Sequence, residues 1–438
     1  MFHPEKFLVL IVLLFAMDCQ RGWGQDWNQW MGPNRDNIWN ETGILKKFPE
    51  GGPKILWRSP VAGGYAGPAV AKGRVFVADL QSADNVKVDN FSRGEFTGSE
   101  RVLCFDEATG KELWKHEYPV KYTISYPAGP RCTPVVEEDR VYSLGAEGDL
   151  YCLQADSGKV LWNISLREKY GTKSDLWGYS AHPLIYKNSL ITLAGGPGSH
   201  VVALNKLDGK ELWRSATASS QGYSPPTLIE IGTTKQLVLA KPDSVSAVNP
   251  DDGQELWSVP YQATSGSIIM SPVKSGEYLY VAGYSKQSLL LKLRADGSGV
   301  DEVWRNKAGA AISPVNVQPF VVGDIVFGVD QDGRMAALKL PSGTRLWSTS
   351  APISERPQGS GTAFIVRNQD RFWLFNELGE LIIAELSETE YKEIDRSKVI
   401  EPTNLAFGRD VVWSMPAFCN RRAYIRNDKE IICVDLAE

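Results

Sequence analysis

The chain has 438 residues, of which 43% are hydrophobic and 23% charged, with 40 glycines, 25 prolines and 14 tryptophans. This is the composition of a folded globular protein and argues against disorder. Its 47 Lys and Arg against 52 Asp and Glu leave a formal charge of -5 with no extended basic run, which argues against nucleic acid or an anionic membrane as the main partner. Four histidines, one of them His3 near the amino terminus, are too few for a His-rich metal centre.

From the amino terminus, Lys6 precedes the apolar run FLVLIVLLFA. This is about half the length a bilayer span needs, but it suits the core of a signal peptide. Gly22 and Gly24 place cleavage before Gln25, so residues 1–24 are expected to be a leader and the protein to be exported, either periplasmic or secreted. Cys19 raises a lipoprotein reading, but Ala16 and Asp18 are poor neighbours for lipid attachment. Residues 25–54, with Trp27, Trp30 and Trp39, are expected to pack as an irregular arm on the folded body. No later segment is apolar enough over sufficient length to form a transmembrane helix.

Residues 55–438 are repetitive. The strings LCFDEATGKELW, YCLQADSGKVLW, VALNKLDGKELW and SAVNPDDGQELW end at Trp114, Trp162, Trp213 and Trp257; looser copies end at Trp304, Trp347 and Ile394. In each copy an alternating apolar run, a Gly-bearing turn and a short second strand predict a β-hairpin. A second marker, a small residue and a proline opening an apolar strand, recurs at Pro68, Pro134, Pro183, Pro226, Pro272, Pro314 and Pro416, with Ala363 at the equivalent place in the unit that lost its tryptophan. That makes eight units, spaced as the four-stranded blades of a propeller are. The last, IICVDLAE, lacks its second hairpin strand, and KILWRSPV with Trp57 supplies one near the amino terminus. The expected fold is all-β: an eight-bladed β-propeller whose last blade is closed by strands from both chain ends. Residues 81–100 are read as a loop inserted in blade one. Cys104, Cys152 and Cys433 occupy one repeat position that is alanine in other copies, so buried free thiols are expected there rather than bridges.

The motif of Asp, small residues, Thr-Gly-Lys and Trp resembles the tryptophan-docking repeat of the pyrroloquinoline-quinone (PQQ) propeller superfamily, which includes the quinoprotein alcohol dehydrogenases and BamB. The opening QDWNQWMGPNRDN with GGYAGPAV is closer to the PQQ-binding-like repeat proteins of planctomycete-type bacteria. The resemblance implies that Trp57, Trp114, Trp162, Trp213, Trp257, Trp304 and Trp347 are structural indoles docked between blades, and that Ile394 makes the seam of blade seven the weakest. A quinoprotein dehydrogenase would also have an adjacent cysteine pair and a calcium held by carboxylate and amide oxygens. No two cysteines here are adjacent, and DQDG from Asp330 matches no complete cation loop. Phosphate-binding and nucleophile-elbow motifs are missing as well. No catalytic residue and no metal ligand set is assigned.

The segments before the small-Pro pairs are aromatic and polar, and the fold places them at one mouth of the central channel: Tyr65, Tyr126, Arg131, Tyr179, His182, Tyr223, Arg409 and Trp413. Convergent rings and hydrogen-bonding groups make these the candidate ligand-binding residues, with Arg131 and Arg409 suited to an anionic or quinone-like ligand. The alternative is that they fill the top of the channel. The leading reading is an exported, non-catalytic, monomeric propeller acting as a protein-interaction scaffold or a small-ligand-binding module. The rival is a PQQ-dependent oxidoreductase acting on alcohols or aldose sugars, with calcium.

Overall fold

Each repeat folds as a four-stranded antiparallel sheet. The computed structural model describes residues 25–84, 90–306 and 311–438; the expected leader with Cys19, and residues 85–89 of the blade-one insertion, lie outside the described residues. Among the described residues there are eight such sheets, which make an eight-bladed β-propeller. Blades one to seven span residues 69–122, 135–165, 184–215, 227–260, 273–305, 320–349 and 363–398. Blade eight takes three strands from residues 417–435 and its outer strand from Ile55–Pro60, which pairs antiparallel with Glu430–Asp435. Ile55 lies opposite Val434 and Trp57 opposite Cys433, so the two ends of the chain join in one sheet and the ring has no open seam.

The outer hairpin of every blade carries a β-bulge at the same place, one residue before the docking position. The bulge turns the preceding Leu or Val outward and the indole toward the next blade. Opposite the indole stands a small residue in six of the seven Trp-bearing blades: Cys433, Cys104, Cys152, Ala203, Ala247 and Ala337. The five described cysteines are buried and unbridged.

Docking follows from this geometry. The Trp57, Trp114 and Trp162 N–H groups donate to the carbonyls of Glu107 (2.9 Å), Ala155 (3.0 Å) and Lys206 (3.1 Å) in the hairpin turn of the next blade. The indole lies flat on that turn. At Gly110 and Gly158, both with positive φ, a Cβ would come within 2.5 Å of the ring of Trp57 or Trp114, so only glycine fits. Trp257 departs from the pattern: its N–H donates to Gln236 Oε1 (2.8 Å), and Gln236 Nε2 reaches the Gly297 carbonyl (2.8 Å), so an amide relays that seam.

Blade seven corrects one expectation. The residue opposite Ile383, at the docking position, is Asp395; Ile394 is the bulged residue before it. Asp395 accepts a hydrogen bond from the Phe48 backbone N–H (2.8 Å), and the amino-terminal arm fills the place of the missing indole. Trp39 is 1% exposed and packs on Trp373 and Phe418, and Phe48 also packs edge-on against Trp373. This seam is therefore not bare.

The arm does more than cover one seam. Trp27 bridges to Val70 of blade one, Asn28 exchanges hydrogen bonds with Val136 of blade two, Arg35 donates to the Pro183 carbonyl at blade three, Ile38 bridges to Arg367 of blade seven and Ile44 to Ala437 at blade eight. It thus crosses the ring on the inner strands.

Candidate functional site

Four buried carboxylates shape the mouth of the channel. Asp79, near the end of the second strand of blade one, and Glu147, Asp330 and Glu377, just after that strand in blades two, six and seven, accept from a backbone N–H of the segment that opens the same blade: Ala62, Thr123, Ser313 and Thr362. Each is paired with an arginine, Arg101, Arg167, Arg345 and Arg409 respectively. A charge buried this deeply needs such a partner, and the result is a set of rigid loops at one end of the propeller.

Between these loops lies a cavity of about 620 Å³. Trp30 and Asn37 of the arm line it together with mouth residues, so the arm forms its floor and the channel is a blind funnel. Of the eight candidate residues, Tyr65, Tyr126, Arg131, His182, Tyr223, Arg409 and Trp413 line this one cavity. Tyr179 does not. It is buried in the core of blades two and three against Gly148, with its hydroxyl on the Ala194 carbonyl.

A positional rule separates the two cases. The residue three before the blade-opening proline faces the cavity in seven of the eight units: Tyr65, Arg131, Ser180, Tyr223, Ile269, Ser360 (counted from Ala363) and Trp413. Tyr179 stands four before Pro183, which turns its ring into the core, and Ser180 takes the cavity position.

The charges of the site are already spent. Arg131 donates to the carbonyls of Trp177 (3.0 Å), Ser125 (2.7 Å), Tyr126 (2.6 Å) and Gly129, with its guanidinium 5.2 Å above the Tyr65 ring. Arg409 donates to both oxygens of Glu377 and to the Gly359 carbonyl (3.1 Å), and the Trp413 N–H joins the same carboxylate (3.1 Å). Glu377, 1% exposed, was not singled out from sequence because the residues it organises lie 32 and 36 positions further on. His182 packs on Trp30 with ring centroids 4.4 Å apart and the planes tilted by 59°, and burial together with the nearby Arg35 holds its imidazole well below the usual range, hence neutral. Burial pushes the Tyr65 hydroxyl up to about 12, and raises those of Tyr126 and Tyr223 further.

The rim is apolar. Phe91 of the inserted loop is 62% exposed and lies 6.0 Å from Phe407, 42% exposed, on the hairpin formed by Asn404–Ala406 and Arg409–Val411. From there ring contacts run inward through Trp413 and Tyr126 to Tyr65. The insertion is held over the mouth by Arg93, which donates to the Thr123 and Ser174 carbonyls, and by the Trp177 N–H on the Asn90 carbonyl.

PQQ is a planar tricarboxylate, and its recognition with calcium calls for uncommitted cations and a cluster of oxygen ligands. Both cavity arginines are engaged as described, and among the described residues no group of three or more His, Cys, Asp or Glu side chains is arranged to hold a metal. No helix among the described residues is long and apolar enough to cross a membrane.

Comparison with known proteins places these features in context. Residues 98–349 and 241–438 match the family model described as outer membrane protein assembly factor BamB. BamB of Salmonella typhimurium is 26% identical over 261 residues, covering 56% of this chain and 60% of that protein; the match thus spans about three fifths of such a relative's length. Among solved structures, BamB from Moraxella catarrhalis superposes with a TM-score of 0.56 at 15% identity over 87% of this chain and 97% of that one. The quinohemoprotein alcohol dehydrogenase from Comamonas testosteroni gives 0.59 at 12% identity over 94% and 81%. At these identities the structural likeness is one of fold.

Proposed function

Because the chain belongs to the BamB family of PQQ-like β-propellers, we propose that it is an exported, non-catalytic binding module that engages a protein partner or a small ligand at the mouth of its blind cavity. The observation that carries this reading is the commitment of Arg409 and Trp413 to one buried carboxylate, Glu377. Groups aimed at chemistry keep their donors for the substrate, whereas these are spent on holding the wall of a pocket. Relatives named for outer-membrane protein assembly support a place in the cell envelope and a partner that is itself a protein.

The rival reading, a quinone-dependent oxidoreductase, draws on the fold it shares with quinohemoprotein alcohol dehydrogenase, and fold alone does not carry activity. One titration separates the two. Purified protein is mixed with PQQ and calcium, and quinone absorbance is followed together with reduction of an artificial dye by alcohols or aldose sugars. The binding-module reading expects no saturable quinone binding at about micromolar concentration and no turnover. Saturable binding with turnover overturns it.

A further inference from the structure

The lining of the cavity divides by position around the ring. Five of its rings, Trp413, Tyr65, Tyr126, Trp177 and Tyr223, come from the segments that open blades eight, one, two, three and four. Those blades are consecutive, so the aromatic side chains form one continuous arc. The segments that open blades six and seven, with the turn of blade six between them, contribute the polar Asn316, Gln331, Asp332, Gln358 and Ser360 beside the apolar Val317 and Phe364. Flat π faces therefore predominate on one side of the funnel, and amide, hydroxyl and carboxylate groups are concentrated on the other. Neither arginine is a free cation for a ligand: Arg409 is ion-paired with Glu377, and Arg131, which keeps its charge, turns its donors to loop carbonyls.

The complementary ligand is uncharged and cyclic, with an apolar C–H face and an edge crowded with hydrogen-bonding groups. We propose that the cavity binds a neutral saccharide, one sugar ring lying on the aromatic arc and its hydroxyls directed at the amides of blades six and seven. This rests on the binding-module reading above and names its ligand. A volume of about 620 Å³ falls within the range, about 300–1,000 Å³, that encloses a drug-sized ligand. Because Trp30 and Asn37 close the floor, the site takes a free oligosaccharide or the end of a chain, and a polymer cannot thread through.

The test is calorimetric titration of the mature protein with cellobiose, maltose and N,N'-diacetylchitobiose, each to about 10 mM. A parallel arm pellets the protein with insoluble cellulose and chitin, which separates chain ends from free sugars. Saturable heat with one of the disaccharides, or co-sedimentation with one polymer, is expected. Gln331→Ala and Gln358→Ala alter half-exposed polar residues and should leave thermal unfolding unchanged while weakening binding at least about tenfold; Trp177→Ala probes the aromatic arc in the same way. Silence toward every saccharide and both polymers overturns the saccharide assignment and leaves the binding module standing. Saccharide binding untouched by all three variants places the sugar elsewhere and also overturns it. Binding of PQQ with calcium and dye turnover would remove both this inference and the reading beneath it.

Discussion

Arg409 grips Glu377 at two points, Nε to Oε1 at 2.8 Å and Nη2 to Oε2 at 3.2 Å, with the carboxylate 1% exposed. The same oxygen that takes the second guanidinium bond also receives the Trp413 indole N–H and the Thr362 backbone N–H. One side chain thus fixes the segment opening blade seven, the hairpin before blade eight and an aromatic wall of the cavity. Glu377→Ala leaves a partly buried guanidinium and an indole N–H without their acceptor, and should cost about 2–4 kcal/mol in urea denaturation. Quenching of tryptophan fluorescence by acrylamide should increase as Trp413 loosens.

The seven docked indoles are not equivalent. Trp162 is 8% exposed and its N–H is satisfied, whereas the indole of Trp213 is half-buried and its N–H meets no acceptor. Trp162→Ala should lower stability by about 3–5 kcal/mol, and Trp213→Ala by clearly less. Paired urea titrations measure the difference.

At the seam of blades seven and eight the stabilising group is in the arm. Trp39→Ala, which empties the contact with Trp373 and Phe418, is expected to cost about 3–5 kcal/mol. Ile394→Ala alters only a partly buried bulge residue and should cost about 1 kcal/mol or less. Equal losses from the two substitutions would contradict the arm's role as the replacement for the eighth indole.

Glu100 supplies a pH dependence. It is fully buried in blade one, receives the hydroxyls of Tyr118 and Tyr122 and the Ala146 N–H, and faces no cation among those partners. Burial, the largest influence, raises its carboxyl above the ordinary 4.5. The folded protein then holds this proton more tightly than the unfolded chain does. Its favourable contribution is complete below about pH 4.5 and declines as pH rises through the elevated folded value. Urea titrations across that window should find wild type losing stability relative to Glu100→Gln as pH increases. The opposite slope would refute the assignment.

The thiols should be silent in the native state. Burial pushes Cys104, Cys152 and Cys433 up to about 12, and raises Cys132 and Cys419 as well. A thiol reagent at pH 8 should label none of the five until denaturant is added, since the thiolate is the reactive form.

Architecture was legible because it is written once per blade. The indole, the turn glycine and the small residue opposite are local in sequence, and the copies reinforce one another even though blade seven lacks the indole. The docking position of blade seven was misread by one residue, because a β-bulge shifts the register and, without a tryptophan to mark it, Ile394 and Asp395 look alike in spacing. The mouth was legible as a neighbourhood, while its wiring was not. Tyr179 and Tyr223 both sit in a Gly-Tyr-Ser string, and only the distance to the following proline separates core from cavity. The roles expected of Arg131 and Arg409 turned on partners that the chain brings close in space, Glu377 above all, and no local pattern announces such a pairing.

The join of Ile55–Pro60 to Glu430–Asp435 has a consequence for how the molecule comes to be made. A circlet whose clasp is formed by strands this far apart in the chain stays unfastened until Glu430–Asp435 has been made, because Ile55–Pro60 has no neighbour before then. For as long as that wait lasts, the Ile55–Pro60 strand presents an unpaired edge, and a protein crossing a membrane during that interval would travel as an open string.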